Sequence, residues 1–85
     1  MNDEIVEFKS VPENFSKEES GRKPNTLRKL PIGDEREKTL RRWARLVDYG
    51  SIFIMNTVSG IRIKRQVTDV TIWQGWMIIS WQHHE

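Results

Sequence analysis

Residues 20–28 read Ser-Gly-Arg-Lys-Pro-Asn-Thr-Leu-Arg, which predicts a helix that ends in a tight turn and passes directly into a strand. Gly21 can adopt the left-handed conformation that closes a helix. On the strand that follows, Thr26 and Arg28 are two residues apart and therefore point to the same side. We expect Lys23, Thr26 and Arg28 to converge on one pocket, offering an ammonium, a hydroxyl and a planar set of N–H donors.

The segment before this turn predicts a strand followed by a surface helix. Residues 5–9 largely alternate apolar and polar side chains, as a short strand does. Ser10 stands where a helix N-cap is expected, with a Glu three residues on and Pro12 in the first turn. Phe15 is the main apolar anchor of this helix, and its other positions, Glu18 among them, are polar. We therefore expect those positions to face solvent.

The clearest helix in the sequence begins at Asp34, after a second strand at Thr26–Leu30. Asp34 and Glu37 repeat the capping pattern. The apolar residues recur at helical spacing: Leu40, Trp43, Ala44 and Val47. The opposite face is basic: Arg41, Arg42 and Arg45. The helix therefore carries its apolar packing residues on one face and its arginines on the opposite face.

The second half of the chain predicts strands joined by turns. Strands are expected at Ser51–Asn56, from Ile61 onward and at Trp76–Trp81, with turns at Thr57–Gly60 and Gln74–Gly75. Within the long strand the apolar parity changes between Val67 and Val70, which predicts a bulge. Residues 76–81 are apolar on both parities, as in a central strand buried on both faces.

These elements predict one α+β domain over residues 1–85, with its core at about 5–81. The order is β-α-β-α-β-β-β, which in 85 residues indicates a curved or closed small sheet with two helices. Four Trp must help to fill so small a core. We expect Trp43, and Trp76 or Trp81, in the core, while Trp73 beside the 74–75 turn is free to stack on a base.

The net charge of +2 conceals an uneven distribution along the chain. Residues 1–19 carry six acids against two lysines, whereas residues 20–46 carry nine bases against three acids. This basic middle is either a solvated surface or a set of contacts to phosphate. The candidate phosphate contacts are Arg22, Lys29, Arg41, Arg42 and Arg45.

Composition narrows the function classes. The chain has no Cys, so it has neither a disulfide framework nor a thiolate nucleophile, and a cytoplasmic setting is expected. No apolar run approaches the ~20 residues of a membrane span. No phosphate loop or metal-ligand spacing occurs, so we expect no cofactor and no metal. The adjacent His83 and His84 point apart in an extended chain, which argues against a metal site, and a remnant of an expression tag is the alternative origin.

Gly21, Lys23, Thr26 and Arg28 form the pattern G-x-K-x-x-T-x-R, which is similar to the signature of ASCH domains. These domains are small antiparallel β-barrels of the PUA-like class. The resemblance covers roughly residues 5–81 and also fits the order of the elements, including Val67–Val70 as a V-x-D-V sequence. It implies a PUA-like barrel with a cleft that binds RNA, a nucleotide or a modified base.

One branch of that family removes an N4-acyl group from cytidine with a Lys, a Thr and a downstream Glu. Lys23 and Thr26 match the first two positions, but the Glu has no secure match, and Asp69 is the candidate substitute. A Thr hydroxyl needs a positioned base before it can attack. We therefore expect non-catalytic binding of RNA or a nucleotide-like ligand, with the amidohydrolase as an alternative.

The ligand-binding residues expected from this reading are Gly21, Lys23, Thr26, Arg28 and Trp73. A further alternative is a small protein-interaction module or inhibitor, which presents a strand edge or the basic helix face to an acidic partner. The small, cysteine-free composition also fits a protein of a phage or mobile element.

Overall fold

The computed structural model describes residues 2–82, which form two helices and one five-stranded sheet. The elements are β1 (Ile5–Ser10), α1 (Pro12–Glu19), β2 (Asn25–Arg28), α2 (Glu35–Leu46), β3 (Ser51–Asn56), β4 (Arg62–Trp73) and β5 (Trp76–Trp81). The strand order is β1-β3-β4-β5-β2, and the sheet curls into a half-barrel. The α+β class and the element order predicted from the sequence are confirmed at this level.

The sheet is largely antiparallel, as expected, but it is mixed, so a wholly antiparallel barrel is not formed. The pairs β3–β4, β4–β5 and β5–β2 are antiparallel, but β1 lies parallel to β3. Parallel neighbours need a long connection. Here the chain between β1 and β3 forms α1, β2 and α2, which returns it to the end of the sheet where β1 began.

The core lies between the concave face of the sheet and the two helices. Its buried residues include Phe8, Phe15, Leu40, Ile52, Ile54, Met77, Ile79 and Trp81. Helix α2 packs through Leu40 and Trp43, as its spacing predicts, but the expectation was wrong for Val47, which is the exposed C-cap after the helix ends at Leu46. A Cβ built on Gly50 would lie 2.7 Å from Cζ2 of Trp43 and closer still to the carbonyl oxygen of Glu4. Gly50 therefore lets β1 and α2 approach the start of β3.

Local turn chemistry accounts for the hairpin and the bulge. Gln74 and Gly75 have positive φ angles of 49° and 81°, as in the two-residue turns whose twist matches a hairpin. The register of β4 against β5 shifts between Val67 and Asp69, which is the predicted bulge. Strand β5 is central, but its outer face is open: Trp76 is 38% exposed, so burial on both faces was a wrong expectation.

The start of α1 differs from its prediction. Val11 occupies the N-cap position without a side-chain cap, while Ser10 is the last residue of β1. Pro12 is the first helical residue, as predicted. Gly21 follows the helix with a φ of 84°, the left-handed conformation that its position required. Neither described helix is long and apolar enough to cross a membrane.

Candidate ligand-binding cleft

A polar cleft of about 230 Å³ opens between β1, α1 and β2. Its lining comes from one stretch of chain: Lys9, Ser10, Val11, Asn14, Glu18, Lys23, Thr26, Leu27 and Arg28. Strands β1 and β2 are the two edges of the sheet, and curling brings these edges near each other. The cleft therefore occupies the gap that a closed barrel would fill with backbone hydrogen bonds.

Arg28 spans that gap. Its Nη1 donates to the carbonyl oxygen of Lys9 at 2.9 Å, and its Nη2 donates to Oγ of Ser10 at 3.0 Å. The guanidinium also lies 4.9 Å from the ring centroid of Phe8. Burial lowers the pKa of Arg28 from its ordinary value. Arg28 is thus a fixed wall of the cleft, and Ser10 has become an acceptor for it instead of a helix cap.

Thr26 is held by the same guanidinium. Its side chain is buried at 2% exposure, and its Oγ1 accepts a hydrogen bond from Nε of Arg28 at 2.9 Å. The Thr26 side chain points inward because Thr26 lies directly opposite the buried Ile79 of β5, and opposite residues of paired strands share a face of the sheet. Arginine carries no acceptor and stays protonated, so it cannot remove the hydroxyl proton of Thr26.

Lys23 reaches the cleft through the turn after α1. Its backbone N–H donates to the carbonyl oxygen of Lys17 at 3.0 Å, which folds the turn back on the last turn of the helix. Its ammonium forms no ion pair within residues 2–82. The expected convergence of Lys23, Thr26 and Arg28 is therefore found: all three line one cleft.

Glu18 is the cleft residue that sequence reasoning missed. It is fully buried, and neither carboxylate oxygen has a hydrogen-bond partner. The expectation of a solvated helix position was wrong for Glu18. Phe15 and Glu18 are three residues apart, so the face of α1 that buries Phe15 also turns Glu18 inward. The spacing from Phe15 was the feature of the sequence that could have predicted the burial of Glu18. Its acidic side chain favoured an exposed position instead.

Other predicted site residues lie elsewhere. Trp73 is 62% exposed on the outer face of the sheet, beside its cross-strand partner Trp76. Lys29 belongs to the same outer region, with its Nζ 5.6 Å from the Trp76 ring centroid. Asp69 is exposed and accepts a hydrogen bond from Oγ1 of Thr71 at 2.7 Å. None of these residues lines the cleft.

The remaining basic candidates are also separate from the cleft. Arg22 is exposed and donates from Nε to Oγ of Ser20 at 3.3 Å. Arg41, Arg42 and Arg45 line a second, shallower groove of about 650 Å³ between α2 and β4. Because the two cavities share no lining residue, they are two independent surfaces.

The basic face of α2 is partly neutralised. Arg41 pairs with Glu37 on the same helix, and Arg42 pairs with Glu4 near the start of the chain. Nε1 of Trp43 donates to the other oxygen of Glu4 at 3.0 Å. These bonds, that from Arg42 first, hold the pKa of Glu4 below its ordinary value of 4.5. Within the described chain, Arg45 has no ion pair.

No protein-family model matches the chain, and no curated protein matches it significantly. Within residues 2–82, no three His, Cys, Asp or Glu side chains form a group that could hold a metal ion. His83 and His84 lie outside the described residues. The geometry of the cleft is therefore the basis for the functional argument.

Proposed function

We propose that the protein is a PUA-like domain of the ASCH type whose cleft binds a nucleobase-containing ligand, either RNA or a nucleotide, without hydrolysing it. The observation that carries this proposal is the convergence of Lys23, Thr26 and Arg28 on one cleft that also contains the unpartnered carboxylate of Glu18. Such a mixture of donors and acceptors suits the polar edge of a heterocyclic base.

The size of the cleft supports a small occupant. Pockets for drug-sized ligands run from about 300 to 1,000 Å³, and this cleft of about 230 Å³ lies below that range. A cleft of this size suits a single base better than a complete nucleotide. The sugar and phosphate would then remain at the mouth, where the exposed Lys9 is available.

The hydrogen bonding of Thr26 argues against its use as a catalytic nucleophile. A hydroxyl nucleophile needs a base within hydrogen-bond reach. The side chain bonded to Thr26 is Arg28, whose guanidinium is already committed to β1 through Lys9 and Ser10. These contacts favour binding over hydrolysis.

Calorimetric titration with the four common nucleoside monophosphates and with short single-stranded RNA tests binding. We expect saturable binding of at least one of them, weakened at least tenfold by Lys23→Ala. Lys17→Ala is the matched control, since Lys17 pairs with Glu13 at 3.7 Å and does not line the cleft. Binding that is unaffected by Lys23→Ala would place the ligand elsewhere on the protein.

The amidohydrolase remains a second candidate because Glu18 supplies a carboxylate in the cleft with Lys23 and Thr26. Incubation with N4-acetylcytidine, followed by chromatography for cytidine, tests it directly. We expect no turnover. Turnover that disappears in Thr26→Ala would overturn the non-catalytic proposal. If neither binding nor turnover occurs in the folded protein, the protein-interaction alternative becomes the better account.

A further inference from the structure

The carboxylate of Glu18 lacks partners that a buried charge requires. Its side chain is fully buried, and both oxygens are without a hydrogen bond. Buried polar groups in folded proteins are paired in the great majority of cases, and an exception calls for an explanation such as a functional role. Glu18 borders the cleft. Both oxygens are closed to solvent in this structure, so an occupant of the cleft supplies the missing donors only after the Glu18 side chain turns toward it.

The neighbouring cations supply no hydrogen bond to Glu18, although the negative charge of Glu18 opposes the lowering of the Arg28 pKa by burial. Three of the five N–H donors of Arg28 are directed to Thr26, Lys9 and Ser10. Glu18 forms no ion pair with Arg28 or Lys23 in the described part of the chain. Both oxygens are left without a donor, in a cleft that is also lined by Lys23, whose ammonium has no carboxylate partner in the described part of the chain.

We propose that Glu18 selects the ligand by accepting two parallel hydrogen bonds from one edge of the base, and that this base is guanine. The inference rests on the proposed function and adds the identity of the base. Guanine presents a ring N–H beside an exocyclic amino group, which matches the two oxygens of a carboxylate. The carbonyl oxygen next on that edge is an acceptor for the ammonium of Lys23.

The other common bases fit less well for the same reason. Adenine and cytosine place their amino group beside a ring nitrogen that is itself an acceptor, so one carboxylate oxygen would face a lone pair. Uracil has one ring N–H between two carbonyl oxygens. Loss of one correctly placed bidentate pair costs about 1–3 kcal/mol in base recognition, which corresponds to roughly fivefold to 150-fold in affinity.

Titrations with guanosine and inosine monophosphates test the inference, because inosine differs by the absence of the 2-amino group. We expect guanosine monophosphate to bind at least tenfold more tightly. Glu18→Gln should weaken guanosine monophosphate at least tenfold and bring the two affinities close together, since the amide offers one acceptor and one donor. Glu19→Gln, an exposed neighbour on the same helix, is the matched control.

Two oligoribonucleotide arms distinguish a free nucleotide from RNA. A uridine oligomer with one central guanosine is compared with the same oligomer without it. A guanosine-dependent affinity that exceeds that of the monophosphate supports RNA as the source, and equal affinities support the free nucleotide. Both results support guanine selection, provided that Glu18→Gln abolishes it.

The failures of the two proposals are distinguishable. If nucleotides bind but guanosine and inosine monophosphates bind equally, or if Glu18→Gln leaves their ratio unchanged, guanine selection is wrong and the binding function stands. If no nucleotide or oligomer binds, both proposals are wrong. A thermal melt of each variant accompanies the titrations, so that loss of binding is assigned only to folded protein.

Discussion

At the scale of single residues, Arg28 and Glu18 have opposite relations to stability. Arg28 donates three hydrogen bonds, one to the backbone of β1 and two to hydroxyl groups. Glu18 is buried beside it with no bond at all. A fold selected for stability alone would keep the first and replace the second.

Replacing Arg28 by Met should lower the free energy of unfolding by about 2–3 kcal/mol, because hydrogen bonds to charged groups contribute about 1.5–3 kcal/mol and two hydroxyls lose a partner. Urea denaturation measures the change. Arg22→Met, which removes one long bond on the surface, should stay within about 0.5 kcal/mol of the parent. Similar losses in the two variants would contradict the bridging role of Arg28.

Replacing Glu18 by Met, which has similar length and no charge, should raise the free energy of unfolding by about 1–3 kcal/mol, the cost of an unsatisfied buried polar group. The same variant should lose binding of guanosine monophosphate. A gain in stability with loss of binding is the pattern of a functional group that the fold tolerates at a cost. A destabilised variant would mean that Glu18 has a structural partner.

At the scale of elements, helix α2 is capped at its start and attached at its middle to the segment that leads into β1. Asp34 caps its start by accepting from the backbone N–H of Arg36 at 2.9 Å. Its middle is tied to the segment before β1 by Glu4, which accepts from Arg42 and Trp43. Gly50 then allows Trp43 and the Glu4 backbone to pack against the start of β3. These contacts couple the position of α2 to that of β1.

Gly50→Ala should destabilise the protein by about 1–3 kcal/mol, the usual cost of overpacking, since the added methyl group meets both backbone and the Trp43 ring. Thermal or urea denaturation measures the loss. Gly60→Ser is not a suitable control because Gly60 has a φ of 75°. Ser59→Ala is the better control, because Ser59 is an exposed residue of the turn that contains Gly60. This substitution removes one surface hydrogen bond, which the Ser59 hydroxyl accepts from the backbone N–H of Ile61 at 3.2 Å. An unchanged Gly50→Ala variant would show that the helix can shift freely.

Acid should weaken the attachment of α2 through Glu4. Because the folded protein holds the pKa of Glu4 below 4.5, the carboxylate stabilises the fold above the unfolded value. That contribution is lost as the pH falls from about 4.5 through the lower folded value. The melting temperature of the parent protein should fall between about pH 6 and about pH 3, and Glu4→Gln should make this fall smaller. Thermal melts followed by circular dichroism at about these two pH values measure the difference. Asp3→Asn, an exposed neighbour, should leave the curve nearly unchanged.

The elements that were predictable from the sequence are those with local causes. The 74–75 turn, the bulge after Val67 and the cap at Asp34 each depend on residues within a few positions of one another. The function of Ser10 was not predictable, because its partner Arg28 lies 18 residues away across two elements. Within the cleft, i,i+2 spacing placed Thr26 with Arg28, whereas Glu18 required knowledge of how α1 packs.

At the scale of the whole molecule, the fold brings the acidic and basic parts of the sequence together. Glu4 meets Arg42, and the carbonyl oxygen of Glu7 accepts a hydrogen bond from Arg36. The basic middle is therefore less available to phosphate than its composition suggests. A positive surface remains where an arginine lacks such a partner, as Arg45 does among the described residues.

If the ligand is RNA, Arg45→Ala should reduce the slope of log affinity against log salt by about 0.7, the value for one phosphate contact on a single strand. Arg41→Ala should change the slope less, because Arg41 must first leave Glu37. Fluorescence anisotropy at several salt concentrations gives both slopes. Equal and unchanged slopes would remove the α2 face from the RNA interface.

The strand order has a consequence for the time at which the cleft can form during synthesis. All the residues that line it fall between positions 9 and 28, so they leave the ribosome before β3, β4 and β5. Their strands, however, find backbone partners only in β3 and β5, which begin at residues 51 and 76. Contacts of such long sequence separation form late in folding. The nascent chain therefore carries the complete set of cleft residues before the cleft is assembled, and the strand that positions Thr26 and Arg28 is the last of the five described strands to be made.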